Sequence, residues 1–235
     1  MKIKEQFSRY AKSYEKYSIV QQLGVKQLLN SMPKDLGLVV ELGCGSGRVY
    51  KELKKEKFNF SRFFGVDFSK KMLSLHPQDK NTTLIEGDFN SKELFKSLPK
   101  CDSLISASAL QWSKDLDFVF KNCANFSKNG YFFIFTSNTF KTIHKIVDVK
   151  SPIYTKEQVV NSFLKHYKKL KIEPLEFKIE FNSTWDMLKY IKNSGVSGGG
   201  FNLGVSDIRK ILREYPYNYL EFETVILIGK SYENR

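Results

Sequence analysis

The stretch Val39-Val40-Glu41-Leu42-Gly43-Cys44-Gly45-Ser46-Gly47 joins an apolar run to an acidic residue and three glycines spaced two apart. It describes a buried strand delivering its chain into a tight, backbone-lined turn. The first two glycines let the backbone turn sharply and come close to a bound molecule, because a Cβ there would take the ligand's space. Gly47 opens Arg48-Val49-Tyr50-Lys51-Glu52-Leu53, whose first amides would form a positive helix N-terminus. The spacing departs from the dinucleotide fingerprint, in which the third glycine falls three residues after the second. A Gly-rich turn without a ligand is the plain alternative, and the strand ends further along weigh against it.

From residue 36 to 137, apolar runs alternate with turns and polar segments, a pattern that predicts a parallel sheet covered by helices. The expected strands are Leu36 to Leu42, Arg62 to Asp67, Thr82 to Gly87, Ser103 to Ser108 and Tyr131 to Ser137, each rich in Val, Ile, Leu or Phe as strands buried on both faces require. Helices are expected near 47–57, 69–75, 91–97 and 115–127. The tail reads as a long loop from Asn138 to Pro152 and then a helix over Thr155 to Tyr167, opened by the capping-box pair Thr155 and Gln158. A strand (Leu175 to Phe181), a helix (Thr184 to Lys192), the glycine run Gly198-Gly199-Gly200, a helix (Ser206 to Tyr215) and a last strand (Glu221 to Gly229) complete it. At the front, Phe7, Tyr10, Tyr14 and Tyr17 recur at three- and four-residue spacing, giving a helix with one aromatic stripe. That stripe is either core packing or a lid that closes over a ligand and excludes water.

Composition sets the outer bounds. A chain of 235 residues fits one domain and can bury a sizeable core. No apolar run has the length of a membrane span, and Met1-Lys2-Ile3-Lys4 leads into no apolar signal core, so a cytoplasmic protein is expected. Cys44, Cys101 and Cys123 lie far apart and read as reduced packing residues. His76, His144 and His166 are isolated, so neither a metal site nor a Ser/His/Asp arrangement is expected. The net charge of +13 comes from 32 Lys and only 6 Arg scattered along the chain. It reads equally as a compositional bias or as a binding face for nucleic acid, an anionic membrane surface or an acidic protein. Nucleic acid is disfavoured, because there is no aromatic RNP-like strand, zinc-finger spacing or basic tail.

In an open parallel sheet ligands bind beyond the carboxyl ends of the strands, and the residues expected there agree with one another. Asp67 closes the second strand, where its carboxylate can accept two ribose hydroxyls, while Phe68 follows and Ser69 is free to cap the next helix. Gly87-Asp88-Phe89 ends the third strand: Asp88 can accept from an exocyclic amine and Phe89 can support an adenine ring. Ser106-Ala107-Ser108-Ala109-Leu110-Gln111-Trp112 ends the fourth, with small residues admitting a ligand and Gln111 and Trp112 facing the reacting group.

Taken as a set, Glu41 to Gly47, Gly65-Val66-Asp67-Phe68-Ser69 with Met72-Leu73, Gly87-Asp88-Phe89 and the fourth-strand segment resemble the successive motifs of class I S-adenosylmethionine-dependent methyltransferases. The resemblance implies an α/β, Rossmann-like fold with a mostly parallel seven-stranded sheet, helices on both faces and an N-terminal helical lid. It also implies a single domain over 1–235, with the lid in 1–31, the cofactor core in 36–137 and the substrate side in 138–235. S-adenosylmethionine would be the cofactor, held by Glu41, Gly43, Cys44, Gly45, Gly47, Asp67, Phe68, Asp88, Phe89 and Ser106, with Glu41 accepting from its ammonium. A narrower likeness is to malonyl-acyl-carrier-protein O-methyltransferases of biotin synthesis. Phe7-Ser8-Arg9-Tyr10-Ala11-Lys12-Ser13-Tyr14 with Val20-Gln21, Ala109-Leu110-Gln111-Trp112, and Leu188 to Gly200 with the helix and strand behind it carry that likeness.

This family implies a malonyl thioester on an acyl-carrier protein as substrate and partner, and no metal. The acceptor carboxylate is ionised at neutral pH and needs no general base. Tyr14, Gln111 and Trp112 would position it, with Arg9 and Arg48 as further candidates for its charge. Another small carboxylic acid or metabolite is the alternative acceptor, and RNA a lesser one.

Overall fold

In the computed structural model, residues 17–194 and 203–232 are described. Phe7, Arg9, Tyr10 and Tyr14 of the expected lid, and the run Gly198 to Gly200, lie outside them. The apolar segments form β1 (Leu38–Leu42), β2 (Arg62–Asp67), β3 (Thr82–Glu86), β4 (Cys101–Ala107), β5 (Ser127–Phe135), β6 (Tyr167–Glu180) and β7 (Tyr219–Ser231). They make one seven-stranded sheet in the order β3-β2-β1-β4-β5-β7-β6. The first five strands are parallel, and β7 runs antiparallel to both β5 and β6.

Helices cover both faces because the strands are apolar on both. Neighbouring residues Val39 and Val40, or Phe132 and Phe133, are fully buried on opposite sides of the sheet. On one side lie α1 (Ile19–Asn30), α2 (Arg48–Lys55), α6 (Lys141–Val147), α8 (Thr184–Ser194) and α9 (Val205–Glu214). On the other lie α4 (Lys92–Ser97), α5 (Leu116–Phe126) and α7 (Lys156–His166). The short α3 (Lys70–Leu73) follows β2.

Two expectations are corrected. The segment from Asn138 to Pro152 is not a loop throughout, since it contains α6, set between Phe140 and Asp148 in the left-handed region at φ 62° and 54°. And β6 begins at Tyr167 rather than Leu175, because Lys168, Lys169 and Lys171 pair with Lys230, Gly229 and Ile228 of β7. Lysines on an edge strand discourage pairing with another chain, and they hid this strand's first half. The capping box at Thr155 and Gln158 is present and opens α7 as expected.

β1 pairs with β2 on one side and β4 on the other, so the strand order reverses between β1 and β4. A crevice opens at such a switch point, outside the carboxyl ends of the strands. The glycine loop, Asp67 and the segment after β4 all emerge there.

Candidate active site

The amides of Gly43 and Cys44 both donate to the Val66 carbonyl, at 2.8 and 3.0 Å, which pins the glycine loop to β2. Gly43 has φ 74°, and a Cβ on it would overlap the Ala109 methyl. The neighbour that forbids a side chain here is thus the protein's own loop after β4. Asp67 then ties the loop down: Oδ2 accepts from the Gly45 amide at 3.0 Å and Oδ1 from the Ser69 amide at 2.8 Å. Ser69 uses its hydroxyl to cap α3 through the Met72 amide, as its position after Asp67 predicts.

A cleft opens above this loop, and Glu41, Asp67, Arg48 and Trp112 contribute to its wall. Glu41 is 2% exposed, and its Oε2 has no hydrogen-bond partner among the described residues. Burial, and then the nearby Asp67 charge, push its carboxyl up to about 8. The Cys44 thiol is pushed well up by burial and by both carboxylates, so it is no nucleophile. Across the cleft, Ser108 takes a left-handed backbone at φ 63°, with its amide donating to Phe133 O at 2.8 Å. Its buried hydroxyl is also without a partner among the described residues. Backbone strain of this kind in a non-glycine residue persists only where surrounding structure enforces it.

Of the residues expected from sequence, Glu41, Gly43, Cys44, Gly45, Asp67, Phe68, Phe89 and Trp112 come together around this cleft. Four others stand outside its lining. Gly47 caps α2 in the left-handed region at φ 84°. Asp88 is exposed and accepts from the amide and side chain of Asn90. Ser106 is fully buried and donates to the Leu42 carbonyl at 2.8 Å, bracing β4 against β1. Gln111 donates to the Ser108 carbonyl at 2.8 Å and so supports the strained turn from behind. Tyr14 lies outside the described residues.

The structure adds Gln21 and Val25 from α1, Met72 from α3, and Val49 beside Arg48, whose guanidinium donates to the Ser18 hydroxyl. Gln21 carried a readable signal: with Val20 it belongs to the segments on which the narrower likeness rests. No group of three or more His, Cys, Asp or Glu suited to a metal occurs among the described residues, and no described helix is long and apolar enough to cross a membrane.

The family described as a methyltransferase domain matches residues 40–135, the span from β1 to β5 that builds this cleft. Full-length relatives agree. The malonyl-[acyl-carrier protein] O-methyltransferase of Acinetobacter baylyi is 24% identical over 94% of this chain and 89% of its own. The malonyl-[acyl-carrier protein] O-methyltransferase 2 of Ilyobacter polytropus is 23% identical over 98% of each chain. The chain is an S-adenosylmethionine-dependent methyltransferase with a Rossmann-like fold. Solved structures share its fold. A phosphoethanolamine N-methyltransferase 2 of Haemonchus contortus, in complex with phosphomonomethylethanolamine and S-adenosylhomocysteine, has a TM-score of 0.60 at 16% identity over 97% of this chain and 60% of that one. The YcgJ protein of Bacillus subtilis has a TM-score of 0.59 at 12% identity, covering 88% and 95%.

The residues of the methyltransferase's cleft fit its cofactor. A cationic ligand suits a wall with two buried carboxylates, one of them with an unmet acceptor oxygen.

Proposed function

We propose that the methyltransferase esterifies the free carboxylate of a malonyl group held as a thioester on acyl-carrier protein, an early step of biotin synthesis. The observation that carries this reading is the reach of the likeness. It extends over 94% of the chain, beyond the cofactor core into the segments after β5, to proteins of that name.

The chemistry of the cleft agrees. Bound S-adenosylmethionine supplies an electrophilic methyl group on a sulfonium. Around it, Glu41 in its ionised form accepts from the ammonium and Asp67 accepts from the ribose hydroxyls, while Phe68 and Phe89 flank the adenine. Trp112 and Ser108 border the side open to the acceptor, and Arg48 is the cation in the lining for an anionic group. The described lining contains no histidine, lysine or tyrosine, and an ionised carboxylate acceptor requires none as a base. Alignment of the reacting groups then carries the rate, and can supply roughly 7–11 kcal/mol. The apolar side chains of Val25, Val49, Met72 and Phe89 keep water out and strengthen attraction between acceptor carboxylate and cation. The excess of 38 Lys and Arg over 25 Asp and Glu favours encounter with an acidic carrier protein.

The test is transfer of labelled methyl from S-adenosylmethionine to malonyl-acyl-carrier protein. We expect a base-labile ester on the malonyl group, and no transfer when that carboxylate is already esterified. Transfer to RNA or to a free small acid, with none to the malonyl carrier protein, would contradict the reading.

A further inference from the structure

Gln21 lies in α1, and with Ser18 and Val25 it occupies positions three and four apart, which share one helix face. That face closes one side of the cleft: Gln21 and Val25 line it, and Ser18 takes the hydrogen bond from Arg48. The helix cannot easily back away. Gly24 sits so close to the Phe133 ring of β5 that a Cβ there would overlap it, and Val20, Val25 and Leu28 are buried against the sheet.

Gln21 is only 4% exposed, yet its Oε1 has no hydrogen-bond partner among the described residues. Buried polar atoms are satisfied in the great majority of cases, so each exception calls for a reason. Two more exceptions share the lining, the Ser108 hydroxyl, which can itself donate, and Glu41 Oε2, which like Gln21 Oε1 is an acceptor. Asp67 differs, since both of its oxygens already accept from backbone amides. One ligand group that answers two buried acceptors is a primary ammonium, which offers three N–H donors and a positive charge. A neutral amide is suited to this place. It adds an acceptor without adding to the repulsion that already exists between Glu41 and Asp67.

We propose that Gln21 is a cofactor-binding residue whose side-chain oxygen, together with Glu41, holds the α-ammonium of the cofactor's amino-acid moiety. The inference rests on the cofactor assignment and goes further by making α1, outside the matched span 40–135, part of the cofactor site. Holding the ammonium from two sides fixes the direction in which the amino-acid arm leaves the sulfur, and hence where the methyl group faces.

The experiment compares two probes. S-adenosylhomocysteine carries the amino-acid moiety; 5′-methylthioadenosine keeps the adenosine and the thioether but lacks it. Binding of each is measured calorimetrically for the wild type, Gln21→Met, Glu41→Gln and the double variant. Gln21→Met should weaken S-adenosylhomocysteine on the order of tenfold, as loss of a hydrogen bond to a charged group does, and leave methylthioadenosine unchanged. The double variant should lose less than the product of the two single losses, because both residues act on one ammonium. Without ligand, Gln21→Met should unfold at the same or a higher temperature, since it removes an unpaired buried acceptor.

Equal weakening of both probes would overturn the proposal, leaving Gln21 as wall packing. So would unchanged S-adenosylhomocysteine binding with a raised KM for the methyl acceptor. Failure of the wild type to bind either probe would instead remove the cofactor site itself, and the proposal with it.

Discussion

Glu41 at the end of β1 and Glu223 near the start of β7 are buried at the end of the sheet where the parallel strands finish, 2% and 8% exposed, but their surroundings differ. Glu223 is fully engaged: Thr136 Oγ1 donates to one carboxylate oxygen, and Asn138 Nδ2 donates to the other at 3.1 Å. Its neighbour Glu221 accepts from the Thr142 amide at 2.7 Å and from the Tyr215 hydroxyl at 2.9 Å. Together these two glutamates fasten the 136–142 segment and α6 onto β7. Glu41 has an oxygen without such a partner and is pushed up to about 8. Burial marks both regions; an unmet carboxylate oxygen aimed into the cleft distinguishes Glu41 from Glu223.

The largest effect that would test this contrast is on binding. Glu41→Ala should lower affinity for S-adenosylhomocysteine by about 2–5 kcal/mol, the cost of removing one side of a buried charged contact, with no loss of folding stability. A loss of stability with binding intact would make Glu41 a brace like Glu223. The converse variant, Glu223→Leu, should cost about 1–3 kcal/mol of unfolding free energy in a denaturant titration, because Thr136 and Asn138 are left without their acceptor. Cofactor affinity per folded molecule should not change.

Asp67 stands between the two cases, since it lines the cleft and is also held by amides. Asp67→Ala should weaken cofactor binding by about 1–3 kcal/mol. Unchanged binding would assign it to the brace group. The smallest effect is expected at Ser106→Ala, about 0.5–1.5 kcal/mol of stability from the lost bond to Leu42 O, with no change in binding. A loss of binding there would make Ser106 part of the cofactor site although it stands outside the cleft lining.

The same contrast explains what could be read from sequence. The strand ends of β1 and β2 were legible because glycine spacing and a closing acid are local patterns, and Arg62 to Asp67 matches β2 at both ends. β6 was half hidden because Lys168 to Lys171 carry a strand pattern only in the company of β7. α6 was hidden because its ends are set by left-handed Phe140 and Asp148 rather than by capping residues. In the cleft, Ser106 and Ser108 are two apart in sequence but only the second lines it, and nothing local separates them. Gln21 was marked in sequence by the narrower likeness, but its place in the cleft comes from the packing of α1, a tertiary fact.

Titration of Glu41 tests the central claim, that an unmet acceptor awaits a cation. In the unliganded fold its carboxyl titrates at about 8 instead of an ordinary 4.5. The unfolded chain therefore ionises first. The associated stability is complete below 4.5 and is lost as pH rises toward 8. A bound ammonium favours the ionised form, so ligand binding expels a proton and strengthens as pH rises toward 8.

The direct measurement is calorimetric titration with S-adenosylhomocysteine at pH 7 in buffers of different ionisation enthalpy. The wild type should release about one proton per ligand bound, and Glu41→Gln none. No release from the wild type, or equal release from both proteins, would contradict the account.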